Sequence, residues 1–470
     1  MLEFHKKKPK NPSKTEPEKR IKDFQEIYSQ FDKNDSVEQS SRCSQCGIPY
    51  CQIHCPLNNN IPDWLRYIAE GRLEEAYQVS ASTNAFPEVC GRVCPQDRLC
   101  EGNCVVEQAG FGAITIGNLE KYLTEIAWEK GWVKNLSSQN QFKQKVAIIG
   151  SGPAGMAASA YLTQNGYQVD VFEKNDRAGG LMIYGIPNFK LDKKIVERRT
   201  EWLLESGVKF NLNMEVGKNI SFQDLEKDYD AILIATGVYK ARKLDIDTSS
   251  VDNSIPALDF LIESNRTGLG DSPSNNKFLT AKDKSVVVIG GGDTAMDCVR
   301  TAIRQQAKEV TCLYRRNKEN MPGSAREVLN AEQEGIKFNW LSVPSKIISD
   351  NSTATSMTYK VAALGEVDES GRRKPVDTGV EKQIKSDLII QALGFEPEDL
   401  NYNFKTNIEL TSWKTVKVDF KKFQTSNQKI FAAGDIVRGA SLVVWAIHDG
   451  REVAKSIHNF LQSSKIKKAS

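Results

Sequence analysis

The sequence has no uninterrupted apolar run near the roughly 18 residues that a membrane-crossing helix needs, so a membrane is not expected. Its first residues, MLEFHKKKPKNPSK, are charged but have no apolar stretch behind them, which argues against a secretory signal and for the cytoplasm. A strong excess of one charge is also missing: 63 Lys and Arg stand against 60 Asp and Glu, for a net charge of +3. No basic stretch interleaved with aromatic residues occurs, so nucleic acid is not an expected partner. Most of the chain lacks cysteine. Of ten thiols, eight fall within residues 43–104 and only Cys298 and Cys312 lie elsewhere.

What remains is an ordinary globular composition, 40% hydrophobic and 26% charged over 470 residues, a length that allows about three domains. The first quarter uses thiols in bulk. Cys43, Cys46, Cys51 and Cys55 are spaced C-x2-C-x4-C-x3-C-P, and Cys90, Cys94, Cys100 and Cys104 are spaced C-x3-C-x5-C-x3-C. In a long cytoplasmic chain such a group is more often a metal site than a disulfide framework. Thiolates are soft donors that suit zinc or iron-sulfur clusters, and the x3-C-P ending resembles the bacterial ferredoxin run, whose last cysteine serves the other cluster. Zinc favours two short C-x2-C knuckles, a spacing that only Cys43 and Cys46 have. Two 4Fe-4S clusters are the favoured reading, with an exchange of thiols between the quartets. Structural zinc and disulfides are the alternatives.

Strand signals are sparse before residue 140. Residues 61–77 and 117–128 have helical spacing, and so does IKDFQEIYSQF (21–31), which is expected to dock as a helix on the next domain. From Gln144 the texture changes. KVAIIG, a glycine-rich turn, a helix and VDVFEK make a βαβ unit, and SVVVIGGGDTAMDCVRTAIRQQAKEVTCLYRR (285–316) repeats it. In GSGPAG, Gly150 makes the tight turn, Gly152 admits a pyrophosphate and Gly155 lets the helix pack closely, with Pro153 and Ala154 between them. Glu173 ends the second strand, where an acid accepts hydrogen bonds from an unphosphorylated ribose, as in FAD or NAD.

The second motif carries Gly290, Gly292 and Ala295 in the same roles, around Asp293 and Thr294, but its second strand ends in Tyr314, Arg315 and Arg316 instead of an acid. Two guanidiniums suit a 2'-phosphate, so NADPH is expected over NADH. No C-x-x-C lies in this unit, which weighs against a dithiol centre of the thioredoxin-reductase type. Cys298 and Cys312 read as small buried hydrophobes. AILIATG (231–237), LIIQALGF (388–395) and IFAAGD (430–435) complete the strands.

The expected fold class is therefore α/β: an N-terminal α-helical iron-sulfur domain (1–140) followed by two Rossmann-like dinucleotide-binding domains, the second inserted into the first. The FAD-binding domain is placed at 141–240 and 385–470, and the NADPH-binding domain at 241–384.

These motifs, with GGLMIYGIPNFKLDK, YRRNKENMPGSAREV and FAAGDIVRGASLVVWAIHDGREVA, resemble the small (beta) subunits of bacterial NADPH-dependent glutamate synthases over nearly the whole length. The resemblance implies FAD, NADPH and two 4Fe-4S clusters, one held by Cys43, Cys46, Cys51 and Cys104 and the other by Cys55, Cys90, Cys94 and Cys100. It implies that Gly180, Leu181, Gly434, Asp435, Leu442 and Val443 line the flavin side, and that no catalytic acid or nucleophile is needed, because the cofactors carry the chemistry. It also implies a large (alpha) subunit as partner, which makes glutamate from 2-oxoglutarate and glutamine. The present chain has neither the length for that machinery nor an N-terminal cysteine nucleophile. The same module occurs in dihydropyrimidine dehydrogenase and ferredoxin-NADP transhydrogenase, which are the nearest alternative settings. A non-catalytic assembly protein with zinc in the thiol sites is the alternative of a different class.

Overall fold

Short β-branched runs buried on both faces form parallel strands, because each strand here must cross a layer covered by helices. Lys145–Ile149 is such a run, and it pairs in parallel with Gln168–Phe172 on one side and Ala231–Ile234 on the other. Ile430–Ala432 and Lys209–Asn211 close the two edges of this five-stranded sheet. The computed structural model of the chain describes residues 1–248, 251–367 and 373–469, with side chains up to residue 463.

A second five-stranded parallel sheet repeats the plan, in the order Ser254–Pro256, Leu388–Gln391, Ser285–Ile289, Glu309–Leu313 and Lys337–Asn339. The second unit is inserted into the first. The expected return at residue 385 is corrected, since Leu388–Gln391 pairs with Ser285–Ile289 and so belongs to the inserted sheet. An apolar LIIQ run fits either sheet equally well, and only the pairing assigns it. The chain crosses between the units at Lys240–Ala241 and Phe395–Glu396, which pair antiparallel as a two-stranded ribbon. The sequence reading also missed a three-stranded antiparallel sheet, Ser342–Asp350, Thr353–Val367 and Arg373–Lys385, built on the inserted unit.

The first strand begins at Lys145, and before it the chain is helices, turns and an isolated antiparallel bridge between Lys14 and Tyr28. Ile116–Glu129 forms as expected. The stretch 61–77 divides into two helices, Ile61–Ala69 and Leu73–Ala81, where the chain turns through Gly71 and the Arg72 amide donates back to the Tyr67 carbonyl at 2.8 Å. Residues 21–31 dock but are not helical, which corrects the expected docking helix. Their contacts point to three different bodies: Glu26 receives Arg92 (2.5 Å) and Lys121 (2.6 Å), Phe24 accepts from Asn188 (2.9 Å), and Tyr28 reaches Asn330 (3.4 Å). In a helix the Phe24 carbonyl would bond within the segment, whereas here it is free to accept from Asn188.

The N-terminal body shares a core with the first sheet. Leu57, Phe86, Val89, Cys90 and Cys94 pack in one buried cluster with Val146, Ile148 and Val444. Glu88, fully buried in this junction, takes both arms of Arg199, at 2.6 and 2.8 Å. Among the described residues no helix is long and apolar enough to cross a membrane.

Candidate functional site

The first glycine turn is possible only with glycine at two positions. A Cβ on Gly155 would stand 2.0 Å from the Gly150 carbonyl oxygen, and one on Gly150, whose φ is 102°, would stand 2.4 Å from that of Ala235. Around Gly152 nothing lies within 4 Å of the Cβ position, so the approach to the turn and to the N-terminus of helix Pro153–Gln164 is open. That is the shape a pyrophosphate requires. Glu173 is buried at the neighbouring strand end, and its carboxylate accepts from Ser151 Oγ (2.6 Å), the Ser151 amide (3.1 Å) and Asn175 (2.8 and 2.9 Å).

Gly150, Ser151, Gly152, Pro153 and Ala154 line a cavity of about 290 Å³ together with Glu173, Leu181, Asp435, Leu442 and Val443. Gly155, Gly180 and Gly434 stand behind its wall. A Cβ on Gly180 would come 2.8 Å from Gly152 Cα, and one on Gly434 would come 2.9 Å from Ala154 Cβ. Asp435 Oδ1 accepts from the Ser441 hydroxyl (2.6 Å) and amide (3.2 Å), which holds the loop that opens helix Val443–Ala469. Buried Asp449 fixes the same corner by accepting from Arg438 (2.6 and 2.7 Å) and the Gly434 amide (3.3 Å). A glycine turn open to a helix N-terminus, with a buried acid at the neighbouring strand end, fits FAD.

The second glycine turn faces this cavity. Asp293 and Thr294, at the start of helix Asp293–Arg304, line it, as does Asp297 one turn further on. Asp297 Oδ1 receives Lys190 Nζ at 2.7 Å, an ion pair that joins the inserted unit to the first. Burial pushes the Asp297 carboxyl up to about 6 although Lys190 opposes it. Gly290 must be glycine, since its Cβ would meet the Ala392 carbonyl at 2.2 Å, while the space around Gly292 is open. Ala295 is fully buried beneath the turn. The two arginines separate: Arg315 is exposed, whereas Arg316 is buried and donates Nε to the Arg373 carbonyl at 2.7 Å.

The eight thiols gather in the N-terminal body. Cys55, Cys90, Cys94 and Cys100 line one small cavity, whose far wall includes Val444 from the helix that opens at the dinucleotide cavity. Burial pushes the Cys55 thiol up to about 11, with Glu120 and Cys90 adding to it. Burial, then Cys43 and Cys104, push Cys51 up to about 12. Thiols this reluctant to ionise become ligands when a metal's charge replaces the proton. Gln45 Nε2 donates to Cys43 Sγ at 3.3 Å, and Ser44 Oγ lies 2.9 Å from Cys46 Sγ. Among the described residues no three His, Cys, Asp or Glu side chains form a single-ion site. A soft, all-thiol donor set spread around a cavity fits an iron-sulfur cluster.

Sequence reasoning named the glycine turns, Glu173 and the thiols, and missed Ser151, Lys190, Asp297 and Val444. Ser151 had a local signal, as the residue between Gly150 and Gly152. Lys190 and Asp297 had none, being far apart in the chain.

Residues 20–132 match the family model described as dihydropyrimidine dehydrogenase domain II, 4Fe-4S cluster, and residues 144–450 match that of pyridine nucleotide-disulphide oxidoreductase. The glutamate synthase (NADPH) small chain of Azospirillum brasilense is 51% identical over 98% of this chain and 97% of its own. That of Escherichia coli is 45% identical over 97% of this chain and 96% of its own. Among solved structures, FprA from Mycobacterium tuberculosis in complex with NADPH superposes with a TM-score of 0.59 at 18% identity, over 69% of this chain and 86% of that one, which shows a shared fold. The chain belongs to the family of NADPH glutamate synthase small chains.

Proposed function

We propose that the chain is the electron-input subunit of a glutamate synthase, working in the cytoplasm with a large subunit that makes L-glutamate from L-glutamine and 2-oxoglutarate. The observation that carries this reading is one cavity, lined by both glycine motifs, whose closing helix also walls the thiol pocket through Val444. FAD held there would supply the chemistry that links a two-electron donor, NADPH, to one-electron acceptors, two 4Fe-4S clusters. In this reading Gly150, Ser151 and Gly152 cradle the flavin dinucleotide and Glu173 its ribose. Gly290, Gly292, Asp293, Thr294 and Ala295 present the NADPH pyrophosphate to a helix N-terminus. Cys43, Cys46, Cys51 and Cys104 hold one cluster, and Cys55, Cys90, Cys94 and Cys100 the other.

Mixing the chain with a competent large subunit should give glutamine-dependent glutamate formation from 2-oxoglutarate and NADPH. Dye reduction without glutamate would sink the glutamate synthase reading and keep the NADPH-oxidising flavoprotein, as in the related dihydropyrimidine dehydrogenase and transhydrogenase settings.

The choice of NADPH is assigned to Arg315 and Arg316, of which Arg315 is exposed and Arg316 is buried with its Nε on the Arg373 carbonyl. Arg315→Ala is expected to raise KM for NADPH about tenfold, the scale of one charge-assisted contact, and to leave KM for NADH unchanged. Equal effects on both nucleotides would remove Arg315 from 2'-phosphate recognition.

A further inference from the structure

The second glycine turn is braced by a loop that belongs to its own unit but is held from another. The Gly323 amide donates to the Gly291 carbonyl at 2.8 Å, and the Ser324 amide donates to Asp293 Oδ1 at 3.0 Å. On its far side the loop meets the 3-10 turn Gln96–Arg98, which lies between the thiols of Cys94 and Cys100. The Arg98 guanidinium donates to three successive carbonyls, those of Met321 (3.2 Å), Pro322 and Gly323. Asp97 accepts from the Ser324 hydroxyl (3.2 Å) and the Ala325 amide (3.3 Å). Arg326 reaches back toward the Arg92 and Cys94 carbonyls at 3.4 and 3.5 Å.

We propose that Asp97 and Arg98 are positioning residues for NADPH, acting from the iron-sulfur domain through the 321–325 loop on the turn that binds the pyrophosphate. The proposal rests on the reading of Gly290–Ala295 as the NADPH motif. Two physical effects operate. The first is preorganisation: a turn whose carbonyl is already engaged by Gly323 pays no ordering cost when its amides receive an anion. The second is electrostatic. Asp293 stands at the helix N-terminus that a pyrophosphate would occupy, and its charge would oppose the ligand. The Ser324 amide turns Oδ1 toward the loop and takes up part of that charge. Arg98 and Asp97 keep Ser324 in place, so the thiol-bearing turn sets the affinity of a site in a different domain. No residue of the inserted unit could replace Arg98 in this role without a second fork of donors aimed at the same three carbonyls.

The test measures the dissociation constant of NADP+ by calorimetry on the full chain loaded with FAD and clusters, so that no turnover is needed. Arg98→Ala should weaken NADP+ about tenfold, with flavin content and visible cluster absorbance unchanged. Arg98→Lys, which can reach a single carbonyl, should recover part of the loss. Ser324→Ala, which lies outside the thiol loop, should weaken NADP+ a few-fold and decides the matter if Arg98→Ala fails to load clusters. Gly292→Val serves as the reference, because its side chain fills the open approach to the turn. Loss of NADP+ binding in Gly292→Val, with unchanged binding in Arg98→Ala and Ser324→Ala, would overturn the proposal alone. Unchanged binding in Gly292→Val would overturn the motif reading and the proposal with it.

Discussion

Under the two-cluster assignment proposed above, Cys100→Ser is expected to remove one cluster, halving iron and acid-labile sulfide and stopping electron delivery to the proposed partner, while NADPH still bleaches the flavin. The reason is the position of the thiol. Cys100 is buried in the cavity it shares with Cys55, Cys90 and Cys94, and that cavity touches Val444 on the helix leading from the flavin side. A serine hydroxyl is a harder donor and far less acidic than a thiol, so it is the weaker ligand to iron. Cys298→Ser provides the contrast. Cys298 is fully buried in the core of the inserted unit, its sulfur 3.9 Å from the Ala257 carbonyl, so its loss should leave metal content untouched. Metal analysis with stopped-flow flavin absorbance reads both variants. Full iron content in Cys100→Ser would remove Cys100 from the proposed cluster ligands.

Glu334→Ala should cost about 3–5 kcal/mol and lower the melting temperature by roughly 3–5 °C, because it leaves buried guanidiniums without their counterion. Three arginines converge on this one carboxylate: Arg20 at 2.8 Å, Arg300 at 2.8 and 2.9 Å, and Arg304 at 2.7 and 3.1 Å. Arg300 also pairs with Glu327, and two of the guanidiniums lie over the Phe189 ring, Arg300 at 4.5 Å and Arg304 at 4.0 Å from its centroid. The N-terminal segment, the first unit and the inserted unit thus meet at a single knot. Against the opposing effect of burial, the arginines hold both Glu327 and Glu334 down to about 2, below the ordinary 4.5. Their folded-state pKa is depressed, so the contribution to stability is fully present above about pH 4.5 and fades as the pH falls toward 2. Calorimetric unfolding between pH 3 and pH 7 should show the wild-type advantage over Glu334→Ala shrink on the acid side. A constant difference across that range would mean that packing, not charge, carries the effect.

Local features were legible in the sequence, and features decided by distant pairing were not. The GSGPAG turn could be read because its constraint is steric and acts within five residues: Gly155 needs glycine owing to the Gly150 carbonyl itself. Glu173 was legible for the same reason, as the end of the next strand. LIIQ was assigned to the wrong sheet because its apolar residues fit both, and the register with Ser285–Ile289 is not written in the run. Arg315 and Arg316 looked equivalent, yet consecutive residues leaving a strand face opposite ways, so one is exposed and one is turned inward. The segment 21–31 has helical spacing, but Glu26, Phe24 and Tyr28 are drawn to different bodies and tertiary contacts override the local period.

The insertion has a consequence in time as well as in space. Ile430–Ala432 completes the first sheet about two hundred residues after its neighbour Ala231–Ile234 has been made. At a translation rate of about 5–20 residues per second, the sheet waits roughly 10–40 s for its edge strand. The inserted sheet, complete once Leu388–Gln391 has emerged, can form first. The helix Val443–Ala469 follows both sheets, and it does more than wall the dinucleotide cavity: Val444 walls the thiol pocket, and Arg451 donates to the Leu57 and Thr83 carbonyls at 3.0 and 2.8 Å. Until that helix is synthesised, the pocket of Cys55, Cys90, Cys94 and Cys100 stands open on the side facing the flavin.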